Sequence, residues 1–158
     1  MNTLPTAPQR GFTLLELLVV LVILGILLGV VSLNVAPSEG QSMRNEAQRI
    51  ALLLQLARDE AIMRNRQVAF ELAPDAYRFL VRDDGGWQPI TGDDVLRERR
   101  FSHAPIAFSI DPPIARQGER MRIVFGHEPV DKAFLLTLAT SDLGVSVRAD
   151  GFGHFVVE

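Results

Sequence analysis

With 158 residues and a formal net charge of −3, the chain has room for one modest domain plus an appendage, and taken whole it carries no basic field to draw in nucleic acid. It contains no cysteine, which excludes disulfides, thiolate metal sites and a cysteine nucleophile. Hydrophobic residues make up 47% and charged residues 22%, an ordinary globular balance, but much of the apolar content is concentrated before Pro37.

Met1 to Arg10 is short and polar, with Arg10 its single charged side chain. From Leu17 to Val31 every residue is apolar or glycine, and the stretch from Phe12 to Val31 is broken only by Thr13 and Glu16. At about 1.5 Å per residue such a helix just spans a hydrocarbon core of about 30 Å. A secretory signal peptide would have a shorter apolar core and a small-residue cleavage site, and Ala36-Pro37 is a poor one. A plain anchor explains the length but leaves Glu16 without a reason. A carboxylate at the centre of a bilayer costs roughly 2.5–3.5 kcal/mol, less near a helix end, and such a residue calls for a partner.

Asn34 to Gly40 interrupts the helical pattern around Pro37, and Ser38 with Gln41 three residues on reads as a capping box that starts a second helix. A stripe of Met43, Ala47, Ile50, Leu54, Ala57 and Ala61, broadened by Leu53 and Ile62, then runs along that helix. Arg44, Gln48, Gln55, Arg58 and Asp59 are assigned to the opposite face, and Glu60–Arg64 forms a favourable helical pair. The spacing predicts one helix packed on a sheet of its own domain. After Asn65 the period falls to two. Strands are expected at Gln67–Leu72, Tyr77–Val81, Trp87–Ile90, Pro105–Ile110, Arg122–Phe125, Phe134–Ala139, Val145–Arg148 and Phe155–Val157. Asp83-Asp84-Gly85-Gly86 and Asp150-Gly151 with Gly153 supply hairpin turns. Asp93 to Arg100 is expected to be an exposed charged loop or an irregular edge. The layout is α+β, one long helix followed by antiparallel strands.

The remaining chemistry is sparse. His103, His127 and His154 share no metal-site spacing, and no catalytic elbow or zinc helix occurs. The pairs Asp83-Asp84 and Asp93-Asp94 read as solvated turn residues rather than a calcium loop, and Ser141-Asp142 as a turn. Trp87 reads as a packed hairpin residue. Arg97, Arg99 and Arg100 are offset by Asp93, Asp94 and Glu98. No metal, cofactor or enzymatic activity is expected.

The string Gly11-Phe12-Thr13-Leu14-Leu15-Glu16, followed by the apolar run, resembles the amino terminus of the type IV pilin and type II secretion pseudopilin superfamily. The resemblance implies cleavage by a prepilin peptidase between Gly11 and Phe12, methylation of the new Phe12 amine, and a charge pair between Glu16 and the Phe12 amine of a neighbouring subunit. It also implies a leader over residues 1–11, a transmembrane and assembly helix over 12–36, an amphipathic helix over 37–66 and a periplasmic β-rich domain over 67–158. Together these make a pilin-like fold, a long amino-terminal helix packed on an antiparallel sheet. Arg58 to Asn65 running into Val68-Ala69-Phe70, and Leu143-Gly144-Val145-Ser146-Val147 through Asp150-Gly151-Phe152-Gly153, resemble the minor pseudopilins of the H group. Such proteins are structural subunits near the tip of a periplasmic fibre that helps export folded proteins through the outer membrane. The implied location is the bacterial inner membrane, single-pass, with the amino terminus cytoplasmic. The implied partners are the major shaft subunit, other minor tip subunits, the prepilin peptidase and an inner-membrane assembly platform, with no nucleic acid. Minor pilins of type IV pili, including a DNA-uptake group, share the leader and fold class. Many of those carry a disulfide or a basic tail, and this chain has neither.

Overall fold

The computed structural model describes residues 12–32, 38–114, 116–128 and 130–158. The chain divides into two units, Met1–Ser38 and Glu39–Glu158. In the first, α1 runs from Leu14 to Ser32. Its leucines, valines and isoleucines fall on every side, and all described apolar side chains from Phe12 to Ile26 are exposed. Nineteen residues give about 28 Å of helix. Among the described residues no helix is long and apolar enough to cross a membrane. The break expected around Pro37, and Gly11 with the rest of the leader, lie outside the described residues.

In the second unit α2 spans Glu39–Met63, so Ser38 stands at the expected cap position. Met43, Ala47, Ile50, Leu53, Leu54, Ala57 and Ala61 are all buried, as the spacing predicts. Arg58 is the correction. It was assigned to the solvent face but is buried, with Asp131 at 3.8 Å and Asp59 at 3.9 Å from its guanidinium. Helical spacing places it beside Ala57 and Ala61, at the border of the stripe, where the long side chain lies inward.

The strands follow as β1 (Val68–Leu72), β2 (Ala76–Asp83), β3 (Gly86–Pro89), β4 (Arg99–Arg100), β5 (Ala107–Asp111), β6 (Arg116–Gln117), β7 (Arg120–Phe125), β8 (Phe134–Ala139), β9 (Gly144–Ala149) and β10 (Phe155–Val157). They form two antiparallel sheets. The first has the order β3-β2-β1-β7-β6, with β4 also paired to β2; the second has the order β10-β9-β8-β5. The helix α2 touches β1 and β7 of the first sheet and β9 and β10 of the second, so its one stripe closes both. Phe70, Tyr77, Phe79, Phe125, Leu136, Leu138 and Val147 fill the space beneath it. Phe70 stacks at 5.6 Å on Tyr77 and 5.3 Å on Phe79, and Tyr77 lies 5.3 Å from Phe101. The Tyr77 hydroxyl donates to Glu46 Oε1 at 2.8 Å, and burial followed by that bond pushes its pKa upward.

The segment Asp93–Arg100 is less open than expected. Asp93 Oδ1 accepts the main-chain N–H groups of Val95 and Leu96 at 2.7 and 3.0 Å, Leu96 is buried, and Arg99–Arg100 pairs with β2.

The central strand β1 is buried on both faces. Val68, Phe70 and Leu72 join the core; Ala69 and Glu71 turn to the outer face of the sheet. Register sets Glu71 opposite Arg78 on one side and Arg122 on the other. Arg78 Nη2 lies 2.6 Å, Arg120 Nη1 3.2 Å and Arg122 Nη2 2.5 Å from the Glu71 carboxylate. Burial raises the Glu71 pKa, but hydrogen bonds from Arg122 and Arg78 outweigh it, and the net shift is downward from 4.5.

Two outcomes are expected from urea titrations. Glu71→Gln lowers stability at neutral pH by about 2 kcal/mol, less than the roughly 3–5 of a fully buried pair because the arginines reach water. A depressed carboxylate pKa stabilises above the unfolded value and loses that contribution as pH falls through the folded one. The gap between wild type and Glu71→Gln therefore holds at neutral pH, begins to narrow as pH drops below 4.5 and closes as pH passes the lower folded value. In the β9–β10 turn, Gly151 has φ +82° and a Cβ there would drive into the Asp131 carbonyl oxygen. Gly151→Ala is expected to cost at least about 2 kcal/mol.

Candidate functional site

Helix α1 begins one residue after Thr13, whose Oγ1 accepts the Glu16 main-chain N–H at 3.3 Å, while Leu17 N–H donates to the Thr13 carbonyl at 3.3 Å. Thr13 is thus the amino-terminal cap of α1, and Glu16 sits in its first turn. Phe12 precedes the cap and is 74% exposed. The helix dipole favours a carboxylate in the first turn, so Glu16 stabilises the helix start it belongs to. The rise from Phe12 to Glu16 is about 6 Å, one turn.

Of the residues the sequence singled out, the structure brings Phe12 and Glu16 together on one exposed helix start. Gly11 lies outside the described residues. Sequence reasoning overlooked Thr13, although Thr-x-x-Glu is itself a capping-box pattern. His103, His127 and His154 are exposed, and His154 Nδ1 is 2.7 Å from Asp150 Oδ2. Asp83 faces Arg66 at 3.8 Å, and Asp93 is occupied by its own turn. Among the described residues no three His, Asp or Glu groups stand close enough to hold a metal ion. Trp87 is packed in its hairpin and also lies 5.3 Å from the Arg122 guanidinium and 5.8 Å from that of Arg82.

An apolar helix with a capped, carboxylate-bearing start, carried by a domain of one amphipathic helix over antiparallel sheets, defines a pilin-like subunit. The fold agrees with the minor pseudopilin EpsH of the type 2 secretion system of Vibrio cholerae, with a TM-score of 0.55 at 16% identity over 72% of this chain and 93% of that one. Residues 46–151 match the family Type II transport protein GspH, and residues 6–32 match the prokaryotic N-terminal methylation motif. The chain belongs to the GspH family. It is 33% identical to the type II secretion system protein H of Aeromonas hydrophila over 92% of this chain and 91% of that protein. It is 35% identical to the protein of the same name from Pseudomonas aeruginosa over 71% of this chain, spanning 66% of that relative's length.

The cap is testable in detergent micelles by amide hydrogen exchange. Thr13→Ala is expected to cost about 1 kcal/mol of local stability and to speed exchange at Glu16 and Leu17 about fivefold, while Thr13→Ser restores protection.

Proposed function

We propose that this chain works as a minor pseudopilin of a type II secretion system, a structural subunit that assembles with other pseudopilins into a periplasmic fibre helping to export folded proteins. The observation that carries this reading is the presence, in one chain, of the GspH match over 46–151 and the methylation motif over 6–32. On this reading a prepilin peptidase cuts between Gly11 and Phe12 and methylates the Phe12 amine. The segment 12–36 then stays on the mature protein as a single inner-membrane anchor, with residues 37–66 and 67–158 in the periplasm. Retaining the apolar helix is what an assembling subunit requires, because its described apolar side chains, Phe12 to Ile26, are all exposed. Leu52, Leu56 and Met63 of α2 are also exposed, at 68%, 38% and 82%, and offer further apolar surface to neighbours.

The role of Glu16 follows from charge. Once the leader is removed, Phe12 carries a positive amine, and the Glu16 of an adjacent subunit is the matching acid in an apolar bundle. Removing one member of such a pair strands the other at roughly 3–5 kcal/mol, so the pair sets the register of assembly. A position near the fibre tip, with the major shaft subunit, other minor subunits and an inner-membrane platform as contacts, completes the proposal.

Gly11→Ala is expected to leave the precursor uncut, which mass spectrometry of the membrane fraction reads directly; a mature Phe12 terminus in that variant would overturn the processing scheme. Glu16→Gln should be processed yet recovered poorly in crosslinked pseudopilin complexes, and normal recovery would remove the charge-pair account. A clean deletion should abolish exoprotein secretion and leave twitching and DNA uptake intact. The opposite pair of phenotypes would place the chain in a type IV pilus.

A further inference from the structure

The outer face of the first sheet gathers charge that the whole-chain balance conceals. Alternation along β2 and β7 sends Arg78, Arg82, Arg120 and Arg122 to this face, and β1 adds Glu71. Three of these guanidinium groups close on one buried carboxylate and a fourth, Arg82, stands further along the face, on a chain whose net charge is −3. Trp87 on β3 lies opposite Arg82 in the register and also meets Arg122, a residue two strands beyond β2. Ala69 and Leu80, paired across β1 and β2 on this face, are almost fully buried. Exposed Val124 and Pro89 add apolar surface beside them.

Donors on this face outnumber acceptors. Each guanidinium offers five N–H groups, while a carboxylate has about four lone-pair positions. Glu71 already receives Arg78, Arg120 and Arg122, and Arg82 donates to Gln67 Oε1 at 3.1 Å. The Arg120 side chain remains 53% exposed and that of Arg78 31%. Asp75 and Glu98 line the small concavity next to Arg78 and Arg120, and Asp131 shares a second concavity with Arg122. Arg82 stands by Gln67 at one end of β1 and Arg120 beyond Leu72 at the other, so the positive end is the one shared by Arg82, Arg122 and Trp87, while Arg120 is the exposed cation on the side of Asp75 and Glu98.

We propose that this face is a docking surface for an acidic polypeptide segment of a partner protein. The arginines demonstrate the chemistry on Glu71 itself: planar forks closing on a carboxylate, with an aromatic ring beside them. A polypeptide fits better than a nucleic acid. The central Glu71 and the rim acids oppose a continuous run of phosphates, whereas spaced carboxylates between apolar side chains match the arginines and the Trp87–Val124 surface.

The test uses Trp87, the single tryptophan of the chain, as reporter. Full-length protein in detergent micelles is titrated with a synthetic acidic peptide of alternating Glu and Leu, with the Gln-for-Glu peptide and a single-stranded oligonucleotide in parallel. A saturable change in emission is expected for the acidic peptide only. The double variant Arg82→Gln/Arg120→Gln should weaken it about tenfold, the loss of two rim charges, with an unchanged melting temperature. Because Glu71 keeps Arg78 and Arg122 there, the sheet is retained; Arg120→Gln alone should give a partial loss. Arg44→Gln/Arg49→Gln removes equal charge from the exposed side of α2, away from this face, and should leave binding as in wild type. No response to the acidic peptide overturns the proposal. So does tighter binding of the oligonucleotide, or an equal loss in the Arg44/Arg49 control.

Discussion

One helix has to serve two sheets. The stripe of α2 is the shared floor of both, and its residues are chosen for depth: Ala47, Ala57 and Ala61 are wholly buried where the backbone must come close, and Ile50 and Leu54 fill the space between. An enlarged side chain at any of the three alanines would push the helix off both sheets at once, so the cost would not stay local. The same constraint explains Arg58. It sits where the stripe meets the β9–β10 hairpin, with Gly153 leaving room for its guanidinium and Asp131 on the facing segment.

Much of this fold could be read from the chain because the signals are periodic. The α2 stripe alternates in steps of three and four, strands such as β8 and β10 stand at their expected positions, and Gly151 and Gly153 mark a turn through positive φ. What escaped depended on which strand lies next to which. Glu71 looked like an outward residue on a half-exposed strand, and its burial needed β2 and β7 on either side to supply arginines. Arg58 and Leu96 misled for a related reason, since each is one residue of the wrong character in a segment whose average was read correctly. At the amino terminus the motif was plain in Gly11, Phe12 and Glu16. The part missed was Thr13, because the carboxylate three residues on was read for its charge and not for the cap it accompanies.

The two units divide the labour. The first carries the match to the prokaryotic N-terminal methylation motif, held in few residues. The second carries the GspH match and the surface features that distinguish one subunit from another. Stability is accordingly concentrated in the second unit, with its core and its Glu71 cluster, whereas the first leaves its apolar surface open to whatever surrounds it.

The strand β5 ends its sheet and has β8 as its neighbour there. Arg116 donates to the Phe108 carbonyl of that strand at 2.7 Å and rests 5.2 Å from the Phe108 ring. A terminal strand with bare main-chain groups recruits strands from other molecules, and a charged side chain laid across it discourages that. Copies held side by side in a bilayer meet far more often than copies in dilute solution. For such a protein, a guarded rim keeps β5 from pairing with the β-domain of another copy.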